Sequence, residues 1–144
     1  MIPVHKVMEG KALQAIWSVT PRHMVIEALE LMADKNIGAV LVMDGEELLG
    51  IFSERDYARK GIIKGRKAKS TPVTEVMTSK LFTVTPDMNI RDCMNLMSTK
   101  RIRHLPVIDN DKVTGLLSIG DIVNAIILEQ RSHIKFLEQY ISGT

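Results

Sequence analysis

A single cysteine, Cys93, stands among 144 residues, so no internal disulfide can staple this chain, and the pattern fits a reducing interior better than a secreted scaffold. Aromatic residues are scarce at 4%, which leaves few rings for stacking on nucleic-acid bases. No apolar run approaches the roughly 20 residues needed to cross a bilayer. The greasiest stretch, Ile122 to Leu128, is short and broken by Asn124. Met1 to Gly10 lacks the apolar core and small-residue cleavage site of a signal peptide. Neither sign of charge is in excess, since 19 basic and 17 acidic residues leave a formal +2, too little to name a partner. These absences point away from a disulfide scaffold and a membrane span and toward a cytoplasmic location. What is present is ordinary globular composition, 45% apolar and 25% charged, in a chain long enough for one core of normal size.

The most specific feature is internal. The segment from Ser18 to Ala58 aligns without a gap onto Thr83 to Val123, every residue moving by 65 positions. Val19, Thr20 and Pro21 fall on Val84, Thr85 and Pro86, and Leu31 and Met32 on Leu96 and Met97. Val42, Asp44, Gly50, Ser53 and Asp56 fall on Val107, Asp109, Gly115, Ser118 and Asp121, so the match reaches the turns and helix starts as well as the core. Val4 to Met8 resembles Val73 to Met77 at a slightly larger shift, which places a short insertion in the first copy.

Each copy reads as strand, helix, strand, strand, helix. Val25, Ala28, Leu29 and Met32 recur at helix spacing, as do Ile90, Cys93, Met94 and Met97. Asn89 suits a helix start, whereas Met24 at the same place in the first copy is a poor cap. Ala39–Met43 and Leu48–Ser53 are β-prone runs around the turn residues Asp44 to Glu46, and Leu105–Ile108 and Val113–Leu117 repeat the pattern around Asp109 to Asp111. A unit of about sixty residues is marginal alone, so the copies are expected to pair about an approximate two-fold, giving each an equivalent cleft. Boundaries follow: a first repeat over 1–62, a basic linker over 63–72, a second repeat over 73–126 and a helical extension over 127–144. In the extension Ile127, Ile134, Leu137 and Tyr140 are available to cover the chain's own body or a second chain.

Both copies carry glycine, two apolar residues, serine, two variable residues and aspartate: GIFSERD from Gly50 and GLLSIGD from Gly115. With SVTP and TVTP upstream, and LELMADKNIGAVLV and MNLMSTKRIRHLPV between, the chain resembles a tandem cystathionine-β-synthase (CBS) domain pair, the Bateman module. The resemblance implies an α/β (α+β) fold in which two β-α-β-β-α units pack through their small sheets. It implies binding of an adenosyl ligand, namely AMP, ADP, ATP or NAD, with S-adenosylmethionine less favoured. It further implies a homodimer, a regulated partner protein, and no catalytic cofactor.

The residues support this chemistry. A serine at a helix start can bond a phosphate or ribose, and an aspartate one turn inside can accept both ribose hydroxyls. Ser53 with Asp56 and Ser118 with Asp121 have that spacing, although the same pairs serve equally as ordinary capping boxes. Ser18 and Thr83 stand where family members contact base or ribose. Gly38, Ala39 and Val40 in one copy, and Arg103, His104 and Leu105 in the other, should border the base pocket, with Pro106 replacing Leu41 to shape the second one. Arg101, Arg103 and His104 could hold phosphate oxygens, as could Arg55 with Arg59 one turn on. Solvated strand edges or surface pairs are the plain alternatives.

An enzyme would need a nucleophile with a base, or a metal cluster, and none shows suitable spacing. His5, His23, His104 and His133 are scattered, and Cys93 belongs to an apolar stripe. A nucleic-acid role for the run Arg59, Lys60, Lys64, Arg66, Lys67 and Lys69 is weakened by the missing aromatics. An interaction scaffold without ligand remains the other alternative to a nucleotide sensor.

Overall fold

The computed structural model describes residues 1–9 and 16–142. The inserted residues expected ahead of Ser18 fall largely at 10–15, and the extension expected over 127–144 ends at 143–144; both stretches lie outside the described residues. The elements run α1 (Val4–Glu9), β1 (Ser18–Val19), α2 (Val25–Lys35), β2 (Ala39–Asp44), β3 (Glu47–Ser53) and α3 (Glu54–Asp56), which continues as a π-helical segment Tyr57–Ile62. After a 3-10 turn at Val73–Glu75 come α4 (Ile90–Lys100), β4 (His104–Asp109), β5 (Lys112–Ser118) and α5 (Ile119–Ile141). The result is a mixed α+β chain with two small sheets.

The duplication is written into the backbone. Val25, Ala28 and Met32 on α2 and Ile90, Cys93 and Met97 on α4 are the buried positions, each set one turn and then two turns apart. Both helices stop on a left-handed residue, Asn36 (φ 53°) and Arg101 (φ 56°). In the first copy β1 runs parallel to β2, and β2 antiparallel to β3. In the second the strand equivalent to β1 shrinks to one parallel bridge, Val84 to Val107. Proline explains the difference. Leu41 donates its N–H to the Trp17 carbonyl at 3.1 Å, and Pro106, standing at the same place, has no N–H to donate. The hairpins also turn differently: Gly45 supplies the positive φ in one, while Asn110 and Asp111 (φ 51° and 64°) form the other.

Two compact units emerge, and each joins segments from both repeats. Described residues 16–83 with 109–114 make one unit; 1–9, 84–108 and 115–142 make the other. Each repeat's leading segment thus serves the other repeat. The physical reason lies at the helix starts. Met24 has no oxygen with which to cap α2, so the Val25 N–H finds the Thr71 carbonyl at 2.8 Å and the Ile26 N–H finds Ala68 at 3.0 Å, while Glu27 accepts from the Met24 N–H at 3.4 Å. In the other unit the Ile90 N–H finds the Ile2 carbonyl at 2.9 Å, and Asn89 accepts from the Arg91 N–H at 3.0 Å. Bridges Met24 to Pro72 and Asn89 to Pro3 complete the correspondence.

The core of the first unit gathers Val19, Val25, Ala28, Met32, Val40, Val42 and Phe52 with Val73 and Val76 from the borrowed segment. In the other unit Cys93 is fully buried, and burial, reinforced by the charge of Asp92, raises its thiol pKa above the ordinary 9.0. The folded chain therefore holds this proton more tightly than the unfolded chain. The resulting stabilisation is present below pH 9 and fades as pH rises through the folded value. Cys93 is expected to resist thiol reagents at neutral pH until the chain unfolds, so its labelling rate should follow unfolding in a denaturant series. Fast labelling in the absence of denaturant would contradict the burial.

Candidate functional site

The two helix starts after β3 and β5 have the same geometry. The Asp56 N–H donates to Ser53 Oγ at 3.2 Å, and the Ser53 N–H donates back to Asp56 Oδ2 at 3.0 Å. In the second copy the Asp121 N–H donates to Ser118 Oγ at 3.1 Å, and the Ser118 N–H to Asp121 Oδ2 at 2.8 Å. Both are closed capping boxes, so the capping role is real in each copy. The cap takes up Oδ2 and fixes where each carboxylate sits. A second pair of bonds ties the same corner to the preceding strand: the Glu54 N–H meets the Gly38 carbonyl at 3.1 Å, and the Ile119 N–H meets the Arg103 carbonyl at 2.9 Å. Ala39 is the register partner of Ser53. Gly38, Ala39, Ser53 and Asp56 are thereby assembled in one unit, and Arg103, Ser118 and Asp121 in the other.

The surroundings of the two acids differ. Asp56 Oδ1 accepts from the Thr78 hydroxyl at 2.9 Å and lies 3.5 Å from Lys60 Nζ, which also reaches the Met77 carbonyl at 3.3 Å. Its side chain is only 13% exposed. The repeat puts Ala125 in the place of Lys60 and Glu9 in the place of Thr78, so the two residue types that meet Asp56 do not recur at those places in the second copy. Asp121 instead stands on the wall of a groove of about 680 Å³, with Met1, Ile2, Lys6, Asn124 and Leu128 among the other lining residues. That volume lies within the range usual for small-molecule sites. The groove runs between α1 and α5, and α1 is present there only because the leading segments are exchanged.

Asp121 is the only one of the expected ligand residues on that wall. Ser18 and Thr83 are exposed beside their strands, as are Gly38, Arg55 and Arg103; His104 is half-buried. Ala39, Val40, Leu105 and Pro106 are buried, so their side chains belong to the cores. Arg59 and Arg101 are exposed. Sequence reasoning missed Lys6, Asn124 and Leu128, and it missed Thr78 and Lys60 around Asp56. The signal for Lys6 was the match of Val4–Met8 to Val73–Met77, which marks both segments as parts of the fold.

Within the basic run, Arg66 donates to the carbonyls of Lys60 and Glu75 at 3.2 and 3.0 Å, so it fastens the connection between the repeats. Among the described residues no group of three or more His, Cys, Asp or Glu could hold a metal ion. None of the described helices is long and apolar enough to cross a membrane.

The family model for the CBS domain matches residues 12–62 and 73–128. A mitochondrial CBS domain-containing protein of Arabidopsis thaliana is 43% identical over 141 residues, covering 94% of this chain and 68% of that protein. The structure of a CBS-domain protein of Burkholderia ambifaria, described as acting in signal transduction, superposes with a TM-score of 0.87 at 44% identity, covering 90% of this chain and 96% of that one. A more distant fold-mate, the CBS domain pair of protein MJ0100, is in complex with 5′-methylthioadenosine and S-adenosyl-L-methionine; it has a TM-score of 0.76 at 20% identity, over 89% of this chain and 98% of that one. With both repeats matched by the family model, this chain belongs to the CBS domain family and carries two CBS domains in tandem.

Proposed function

We propose that the chain is a regulatory module that binds an adenosyl ligand, AMP, ADP, ATP or NAD before S-adenosylmethionine, and acts through occupancy without making or breaking bonds. The observation that carries this reading is Asp121, a carboxylate fixed by its cap on the wall of a groove of suitable volume. A ribose diol is the partner whose two donors fit one carboxylate. Met1, Ile2 and Leu128 supply apolar surface for a purine, and Lys6 supplies a cation for a phosphate. The complex of the MJ0100 pair supports the ligand class through likeness of fold alone.

A ligand held between α1 and α5 bears on the start of the longest helix in the chain, and through it on a partner protein or a second copy. A coupling of roughly 1–3 kcal/mol is enough for such control. The same surface chemistry would be idle in a plain scaffold, and titration separates the two. A thermal-shift panel with AMP, ADP, ATP, NAD and S-adenosylmethionine is expected to give at least one stabilising ligand. At one hundred times its dissociation constant that ligand adds about 2.7 kcal/mol, a shift of several degrees. A flat panel at millimolar concentrations would leave the scaffold reading standing.

A further inference from the structure

The connection between the repeats is charged unlike the rest of the chain. From Tyr57 to Thr74 stand six of the 19 basic residues, Arg59, Lys60, Lys64, Arg66, Lys67 and Lys69, and none of the 17 acids. The other 13 bases stand against all 17 acids, so the remainder of the chain carries a net −4 and this segment alone turns the total positive. All of the six but Lys60 are exposed, and among the described residues only Lys60 has an acidic partner, Asp56 at 3.5 Å.

Two apolar side chains stand uncovered in the middle of this charge, Ile62 at 59% and Ile63 at 75% exposure. The backbone holds them there. After Asp56 the helix widens to a π-helical turn, in which the Ile63 N–H reaches the Ala58 carbonyl at 3.2 Å. Gly61 is buried against the Tyr57 ring, where an added methyl would stand 2.9 Å from Cδ1. The turn then closes as a helix stop: the Arg66 N–H meets the Gly61 carbonyl and the Gly65 N–H meets the Ile62 carbonyl, both at 3.0 Å, with Gly65 (φ 73°) as the left-handed residue. With the Arg66 guanidinium also bonded to the Lys60 and Glu75 carbonyls, the isoleucines sit on a fixed projection.

A block of like charge repels itself, and exposed isoleucines order water around them. One kind of surface relieves both, a surface that is anionic outside and apolar about 5–10 Å further in. Nucleic acid offers the charge without the apolar layer, and it rewards rings where this turn has isoleucines. We propose that the turn at 61–69 docks on an anionic lipid surface, with Ile62 and Ile63 entering the boundary between headgroups and acyl chains and Arg59, Lys64, Lys67 and Lys69 against the headgroups. Neither signal suffices alone, because a small apolar insertion binds only marginally, while each cation near such a surface adds about fivefold. The docking is reversible and weakens with salt. The turn and the Asp121 groove belong to different units, so lipid binding is separable from ligand binding.

Cosedimentation of the full chain with vesicles of phosphatidylcholine containing roughly one-third phosphatidylserine tests it. Binding is expected at low salt, at least about tenfold weaker on pure phosphatidylcholine, and lost at high salt. Changing Lys67→Gln and Lys69→Gln together is expected to weaken it about 25-fold, at roughly fivefold per cation. Ile62→Ser with Ile63→Ser is expected to weaken it about tenfold or more at an unchanged melting temperature, because both side chains are exposed. No binding to the mixed vesicles, or equal binding to both kinds, would overturn the proposal. So would full vesicle binding by the isoleucine variant, whether because charge alone acts, as tighter binding to a random-sequence duplex would show, or because the pair covers a second copy, as a halved particle mass in light scattering would show.

Discussion

Asp121→Ala is expected to weaken binding of the adenosyl ligand about thirty-fold. The net loss of a charge-assisted contact of this kind is roughly 2 kcal/mol, and that energy corresponds to the stated change in dissociation constant. The same substitution opens the capping box of α5, costing about 1 kcal/mol of stability, so affinity must be measured by calorimetry at a temperature where the variant is folded. Asp121→Asn separates the roles. Its amide oxygen can still accept the Ser118 N–H, while the charge that favours a ribose diol is gone, so stability is retained and affinity still falls. Asp56→Ala behaves differently. Asp56 holds Thr78 and Lys60, and its loss is expected to lower the melting temperature more than the affinity. Unchanged affinity in Asp121→Ala would remove the ribose assignment.

Gly50→Ala and Gly115→Ala are expected to differ, although the repeat makes the two glycines equivalent. A methyl group on Gly50 would lie 2.7 Å from the Met77 sulfur and 2.8 Å from the Thr78 carbonyl oxygen. The sulfur can move aside. The carbonyl cannot, because Ile51 and Thr78 exchange both backbone hydrogen bonds, at 2.9 and 2.8 Å. Overpacking of this kind costs about 1–3 kcal/mol, or several degrees in melting temperature for a chain of this length. On Gly115 the methyl would meet the Met8 side chain alone, at its flexible end, so the cost there is smaller. Equal losses in thermal melts of the two variants would mean that the borrowed segments pack alike in both units.

The repeat, its element order and its helix stripes were readable from the residues, because each is a local pattern that periodicity and turn chemistry encode directly. Val25, Ala28 and Met32 and their counterparts Ile90, Cys93 and Met97 are buried as their spacing indicates. The serine-aspartate pairs were likewise readable as caps, and they form caps. The crossing of the leading segments was not readable, since the bonds that secure it join backbone groups far apart along the chain. The Val25 N–H meets Thr71 and the Ile90 N–H meets Ile2 whatever side chains those two acceptors carry.

Sequence alone determined that this chain is a doubled α/β unit with one acid placed identically in each copy. Tertiary structure decided what surrounds each acid. Borrowed from the other repeat, Thr78 binds Asp56, while α1 forms one wall of the groove beside Asp121. Symmetry of residues thus became asymmetry of sites, because the environment of a carboxylate depends on which distant segment folds against it.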